Sequence, residues 1–341
     1  MKATFARKGR RPKSSPVLTE QTQEIFARLD REVGYSCVAY WTSAGGSICQ
    51  DDVMAMAQLI SQPENQPRKP SRVLGLFLKS EGGNPQAALR LINLLRNHYQ
   101  RIVLFAPFEC ASAATMVALG SDEVHMGETS YLTAVDTSLK HDLSPVDHSN
   151  NLVSVSQDEV MRIVRLWHEE HGKSNPYPEV YKYLHPLVIG SLDRSSSLSI
   201  RICKELLGYH MKDRKRAERI SRELNSKYPS HSYPITAREA SRLGLNVKKL
   251  SPKVGTLLRE LNRLYSTMAQ PLLTDYDQQS YHNNEICNIL ERKGHQHYYQ
   301  VDKDWHYRKE ERRWVSFNDK SAWHRVVRQN GGWSNTTFFI R

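Results

Sequence analysis

The sequence predicts an α/β domain built on a mostly parallel sheet. Short apolar runs alternate with amphipathic segments at a strand–helix interval. Two of those runs, VLGLFLK (73–79) and RIVLFAP (101–107), are almost continuously apolar, as strands covered on both faces are. Turn-forming residues then separate each run from its helix. Strand–helix–strand connections of this kind are right-handed.

Along the chain, GYSCVAYWT (34–42) is rich in β-formers and reads as the first strand. DDVMAMAQLI (51–60) has a helical pattern, with Asp51 and Asp52 in the first turn where the helix dipole favours acids. SQPENQPRKPS (61–71) carries three prolines and reads as a loop. VLGLFLK leads through EGGNP into QAALRLINLLRNH (86–98), which places Ala88, Leu91, Ile92 and Leu95 on one face. RIVLFAP leads into CASAATMVAL (110–119), a helix of small residues, and EVHM (123–126) is a short strand. TLLRELNRLYSTM reads as a helix that Pro271 ends, and DYDQQSYHNNE (275–285) as a polar linker. Residues 291–341 hold Trp305, Trp314, Trp323 and Trp333, nine or ten apart, which fits the strands or turns of a small module. Tryptophan beside arginine suits stacking on bases or planar ligands; the plainer account is the core of a small domain.

The expected organisation is a basic flexible arm (1–20), a main domain (21–265), a linker (266–290) and a basic Trp-rich module (291–341). Of the formal net charge of +12, residues 1–13 supply +6 and residues 291–341 supply +5, so the body is nearly neutral. A basic end can hold nucleic acid or an acidic partner; a solvated arm is the bland account. Five scattered cysteines, Cys37, Cys49, Cys110, Cys203 and Cys287, never form a CxxC pair, which argues for reduced thiols and against zinc. No apolar segment of membrane-spanning length occurs and no signal sequence follows the basic start, so a cytoplasmic protein is expected. No Walker A pattern is present.

Two turns lie where chemistry belongs in a parallel sheet, beyond the carboxyl ends of strands. One carries Gly82-Gly83, where the backbone can approach a ligand and free amides can hold an anion. A plain tight turn explains it as well. The other carries Cys110-Ala111-Ser112-Ala113. Ser112 is either a nucleophile at a helix start or a residue that caps and packs there.

Taken together, LFLKSEGGNPQAALRLINLL and IVLFAPFECASAATMVALGSDEVHMGETSYL resemble the serine dehydrogenase proteinase family, soluble relatives of signal peptide peptidase SppA within the ClpP/crotonase-like fold. SEGGNP (80–85) is similar to the fold's Ser-Pro-Gly-Gly turn, ASAAT (111–115) to its nucleophile turn, and SDEVHMG (121–127) to Ala-Asp-Glu-Ile-x-Met-Gly. YLTAVDTS (131–138) corresponds to Leu-Gly-Pro-Ile-Asp-Pro-Gln, and 185–200 and 230–245 resemble later blocks. The resemblance covers about residues 30–250. The departures are Glu81 for proline, Ala114 for glycine, Thr133-Ala134 for Gly-Pro and Thr137-Ser138 for Pro-Gln.

The resemblance implies repeated β-β-α units and a serine hydrolase, in particular a peptidase acting on peptide or protein substrates as a homo-oligomer. Ser112 would be the nucleophile, with an oxyanion hole from the Gly82-Gly83 turn and the Ala113 amide. The base stays open between His231 and Lys140, with Asp136 as orienting carboxylate and His141 and Lys173 behind them. Cys110 is a rival nucleophile. No cofactor and no metal are implied. The alternative is a catalytically degenerate protein that keeps the fold and binds partners through its basic ends. An acyl-CoA crotonase fits less well, since that branch uses no serine nucleophile.

Overall fold

The computed structural model describes residues 11–61, 72–136, 138–148, 151–329 and 331–340. The first half runs α1 (Thr19–Val33), β1 (Cys37–Thr42), α2 (Gln50–Ile60), β2 (Val73–Lys79), α3 (Pro85–His98), β3 (Arg101–Ala106), β4 (Glu109–Cys110), α4 (Ala113–Leu119), β5 (Glu123–Met126) and β6 (Tyr131–Leu132). A mostly helical stretch follows: β7 (Ser138–Leu139), β8 (Val155–Ser156), α5 (Gln157–His171), α6 (Tyr177–Val180), α7 (Pro186–Gly208), α8 (Arg214–Ser226) and α9 (Ala237–Leu243). The chain ends in β9 (Val247–Lys249), α10 (Pro252–Met268), β10 (Leu272–Asp277), β11 (Ser280–Arg292), β12 (His295–Arg308), β13 (Arg313–Phe317), β14 (Ala322–Gln329) and β15 (Gly332–Phe338).

One sheet of 11 strands, in the order β15-β14-β12-β11-β1-β2-β3-β5-β9, organises the molecule, with β10 beside β11 and β13 beside β12. From β1 to β9 the strands are parallel. From β1 outward to β15 every pairing is antiparallel. The expected α/β class is observed.

Alternation along the central strands sends side chains to two apolar layers. Val38, Tyr40, Leu76, Leu78 and Leu104 pack with Met56 and Leu59 of α2, Leu91, Ile92 and Leu95 of α3, and Ile202 and Leu206 of α7. Ala39, Trp41, Phe77, Val103 and Phe105 face the other way, onto Phe26 and Leu29 of α1 and Leu258, Leu261 and Tyr265 of α10. Burial on both faces is why β2 and β3 read as unbroken apolar runs.

The ends of the chain differ from expectation. Residues 275–285, read as a linker, lie in β10, its turn and β11, and β11 pairs with β1. The strands beyond 291 continue the same sheet, and Trp323, 4% exposed, joins the layer that holds α2 and α3. Polar strands can stay buried here because their side chains find one another: Asn284 accepts from the Ser15 amide at 2.9 Å and from Gln300 Nε2 at 2.9 Å. That contact also ties down part of the expected flexible arm. Ser15 is buried, and Thr19 Oγ1 donates to Gln296 Oε1 at 2.9 Å. Residues 1–10 and the proline-rich loop at 62–71 lie outside the described residues.

No helix among the described residues is long and apolar enough to cross a membrane. Because β11 covers the edge of β1 and carries core residues Ile286, Ile289 and Leu290, the strands after 270 are expected to unfold with the rest. Trp323→Ala should therefore lower global stability by about 3–5 kcal/mol, as large core deletions do. It should leave a single transition in chemical denaturation followed by both fluorescence and circular dichroism; a separate early transition would mean an autonomous C-terminal module.

Candidate active site

The site forms where the ends of β2 and β3, adjacent and parallel, deliver two turns side by side. Ser112 begins α4 with φ +52° and ψ −117°, one of three non-glycine residues with positive φ among the described residues. That region is strained for a side-chain-bearing residue, by about 1–3 kcal/mol.

Hydrogen bonds hold the strain in place. The Ser112 amide donates to Thr133 Oγ1 at 2.8 Å, and the Thr133 amide donates to Thr115 Oγ1 at 3.0 Å. Thr115 Oγ1 donates back to Cys110 O at 2.8 Å, which closes the loop. Ala111 N–H donates to Ser80 O at 3.0 Å, so the turn is also fastened to the end of β2. The Ser112 hydroxyl makes no capping bond and has no hydrogen-bond partner among the described residues. It is half-buried and does not do the capping that its position suggests.

Gly82 and Gly83 have φ +116° and +144°. A Cβ on Gly82 would lie 2.6 Å from Ser112 Cβ and 2.9 Å from Ala111 O, so only glycine permits the two turns to touch. Gly83 packs on Ile48, whose amide donates to Gly82 O at 2.8 Å and whose carbonyl accepts from the Asn84 amide at 2.8 Å. The Gly82 amide donates to Ser80 Oγ at 3.1 Å. The Gly83 and Ala113 amides are left without an acceptor among the described residues. Of the two glycines, Gly83 therefore carries the free donor, and Gly82 supplies the close approach.

His231 lies in the loop between α8 and α9, 95 positions from Asp136. Leu132 and Ile235 exchange backbone hydrogen bonds of 3.0 and 2.8 Å, and the Val135 amide donates to Leu224 O at 2.9 Å. These bonds bring the two side chains together, with His231 Nδ1 2.6 Å from Asp136 Oδ1. The bond to the Asp136 carboxylate, with the pair's attraction behind it, outweighs desolvation and raises the His231 pKa above its ordinary value. Asp136 is three residues past Thr133, the residue that holds Ser112.

The other candidates stand apart. Lys140 is exposed beyond β7 and has no hydrogen bond or ion pair among the described residues. His141 is used locally: its Nδ1 accepts from the Leu143 amide at 3.1 Å. Lys173 is exposed past the end of α5. Cys110 is fully buried, its Sγ donates to Ala114 O at 3.2 Å, and burial pushes its thiol pKa up, so it is held as the inert thiol. Glu81 is exposed and unpaired among the described residues. Thr137 lies outside the described residues. Among the described residues no group of His, Cys, Asp and Glu side chains is placed to hold a metal ion.

Sequence reasoning missed Thr133, Thr115 and Ile48. Thr133 stood only as a departure from glycine, although its hydroxyl is what holds the serine. A strained turn, two free amides and a carboxylate-held imidazole can support acyl transfer.

No family model matches the chain. Uncharacterized protein MJ0137 of Methanocaldococcus jannaschii is 22% identical over 212 residues, which are 62% of this chain and 64% of that protein. The match thus spans just under two thirds of that relative's length. Among solved structures, a variant of the 1510-N membrane-bound stomatin-specific protease in complex with a substrate peptide matches 65% of this chain and 78% of its own, at 16% identity and a TM-score of 0.38. A ClpP1 variant from Listeria monocytogenes matches 70% of this chain and 99% of its own, at 12% identity and a TM-score of 0.36.

If Thr133 Oγ1 holds the strained turn, Thr133→Val should lower stability by about 1–3 kcal/mol, the usual loss when a part-buried donor is stranded. Thr133→Ser should recover most of it. Equal losses in the two variants, read from denaturation midpoints, would assign the effect to packing instead.

Proposed function

We propose that the chain is a serine hydrolase working by acyl transfer, in particular a peptidase of the ClpP/crotonase-like kind, with Ser112 as nucleophile. The observation that carries this reading is the strained Ser112, pressed against Gly82 with its hydroxyl unused and two unpaired amides beside it. Ordinary helix capping would have taken that hydroxyl.

In this reading His231 is the base and Asp136 its orienting group. Asp136 accepts from Nδ1–H, which leaves Nε2 to take the Ser112 proton as Oγ attacks the substrate carbonyl. The oxyanion then forms between the Gly83 and Ala113 amides, each worth roughly 3–4 kcal/mol at the transition state. Return of the proton from His231 to the leaving amine releases it and leaves an acyl-serine. Water, deprotonated by His231, hydrolyses that ester. Lys140 is the weaker candidate because a lysine base must be kept neutral by burial or nearby cations, and Lys140 is exposed. The competing reading, a degenerate fold that only binds partners, draws on Glu81, a carboxylate beside the turn meant to stabilise an anion.

A homo-oligomer belongs to the same proposal. α5 turns Met161, Ile163 and Leu166 outward, each half exposed, and Leu187 at the start of α7 is 61% exposed. A second copy of the chain is the expected cover.

Labelling by a fluorophosphonate probe should be strong in the full chain, absent in Ser112→Ala, reduced at least about a hundredfold in His231→Ala, and unchanged in Lys140→Ala. Lack of any labelling in the folded protein would favour the binding-module reading, and loss in Lys140→Ala alone would move the base to lysine.

The rate has a definite pH dependence. His231 must be neutral to accept a proton, and its raised pKa lies above about 6.5. Labelling should therefore rise with pH through a midpoint above that value. In Asp136→Asn the midpoint should fall and the plateau should drop by up to about 10⁴-fold, as the imidazole loses its orienting group.

A further inference from the structure

A cavity of about 1120 Å³ opens along α7 and α8, and none of its lining residues belongs to the Ser112 site. Six cations line it, Arg201, Lys204, Lys212, Arg214, Lys215 and Arg222, against two carboxylates, Glu205 and Glu218. Glu218 is already engaged on both sides, with Lys204 Nζ and Arg222 Nη2 each 2.9 Å away. Arg201, Lys212, Arg214 and Lys215 are exposed, and their side chains have no ion-pair partner among the described residues. This concentration is local: residues 14–290 hold 31 basic and 30 acidic residues, so the body around it is nearly neutral. Like charges gathered around one concavity repel, and an anionic ligand relieves that repulsion.

The side chains, not the helix end, would hold such a ligand. The start of α8 is already capped by Asp213, which accepts from the amides of Lys215 and Arg216 at 3.0 and 3.1 Å. The cavity is open to solvent along two helices, which suits an extended occupant. The floor is partly apolar, with Ile200, Met211 and Ala217. The one aromatic residue of the lining, Tyr209, is occupied: its hydroxyl donates to Asn93, and Arg96 lies over its ring, 5.4 Å from the centroid. Single-stranded nucleic acid is held by several free aromatic faces as well as by cations, and this groove offers one ring, tied down at its hydroxyl and on one face.

We propose that the α7–α8 groove is a docking site for an acidic polypeptide segment that carries apolar side chains. The lysine and arginine heads take its carboxylates, and the floor takes its aliphatic groups. The site is independent of whether Ser112 is reactive.

The test is titration of the full chain into a fluorescein-labelled peptide of about fifteen residues, alternating Glu and Asp with Leu, followed by anisotropy. Binding should saturate and weaken at least about tenfold between roughly 50 and 300 mM salt. Arg201→Gln, Lys212→Gln, Arg214→Gln and Lys215→Gln combined should weaken it at least about tenfold with an unchanged unfolding midpoint, since all four positions are exposed. An all-glutamate peptide of the same length should bind several-fold more weakly. Unchanged binding in the combined variant would overturn the site. Equal binding of the all-glutamate peptide would overturn the apolar part of it. Tighter binding of an oligothymidylate of matched charge, lost in the same variant, would replace the peptide with nucleic acid.

Discussion

A side chain at position 82 would stand 2.6 Å from Ser112 Cβ, and the rest of the site depends on that contact. It forces glycine at one turn, directly beside a Ser112 held at φ +52° in the other. A relaxed serine at the start of α4 would turn its hydroxyl onto the amides of the first turn and become an N-cap. Held in strain, it cannot. The strain is small beside the net stability of a domain of this size, but it acts on one residue, so several local bonds must oppose it. The Thr133–Thr115–Cys110 loop and the Ala111–Ser80 bond do so from the two sides of the turn.

The sheet reaches this turn by a second route. Asp52 is buried at the start of α2, where Tyr40, the Cys49 amide at 2.7 Å and Asn288 Nδ2 at 2.7 Å all donate to it. Burial still raises its pKa to about 6. Asn288 also donates to Ser47 O at 2.9 Å. The loop between β1 and α2 is thereby pinned to β11, and Ile48 at its end sets the plane of Gly82-Gly83. The antiparallel strands added after α10 thus support the free Gly83 amide from the far side of β1. A linker in their place would leave that loop unanchored.

The parallel half of the fold was legible because its signals are local. β2, α3 and β3 follow from apolar runs and a 3.6-residue period; the cap of α3, Asn84 accepting from the Ala87 amide at 2.8 Å, went unread although it is just as local. The C-terminal strands were not legible, because their buried residues include polar ones. His282, Asn284 and Asn288 resemble loop residues until their partners across the sheet are known. At the site, Ser112 and the glycine turn were readable as turns. The choice between His231 and Lys140 was not, since it rests on the Leu132–Ile235 bonds between segments some hundred positions apart. Thr133 was invisible because its hydroxyl meets the Ser112 amide only once two segments 21 positions apart come together.

Under the proposed mechanism, the His231–Asp136 pair would have two opposed effects on chemistry at Ser112. The bond from Nδ1 to Asp136 fixes the tautomer and leaves Nε2 free to accept, which a lone half-exposed imidazole would not ensure. It also stabilises the imidazolium, which cannot accept a proton, so a base at His231 would be the minority form until the pH passes the raised pKa. Glu81 adds a negative charge beside the Gly82-Gly83 turn. Its exposure lets water and salt screen that charge, whereas the Gly83 and Ala113 dipoles are fixed in the turn and need no reorganisation. Lys79, the nearest cation in sequence, does not neutralise Glu81: it lies 2.9 Å from Glu109, donates to Thr42 O at 3.0 Å and sits over the Trp41 ring. Under the proposed mechanism the balance at Ser112 therefore falls between one fixed pair of amide dipoles and one exposed, screened carboxylate.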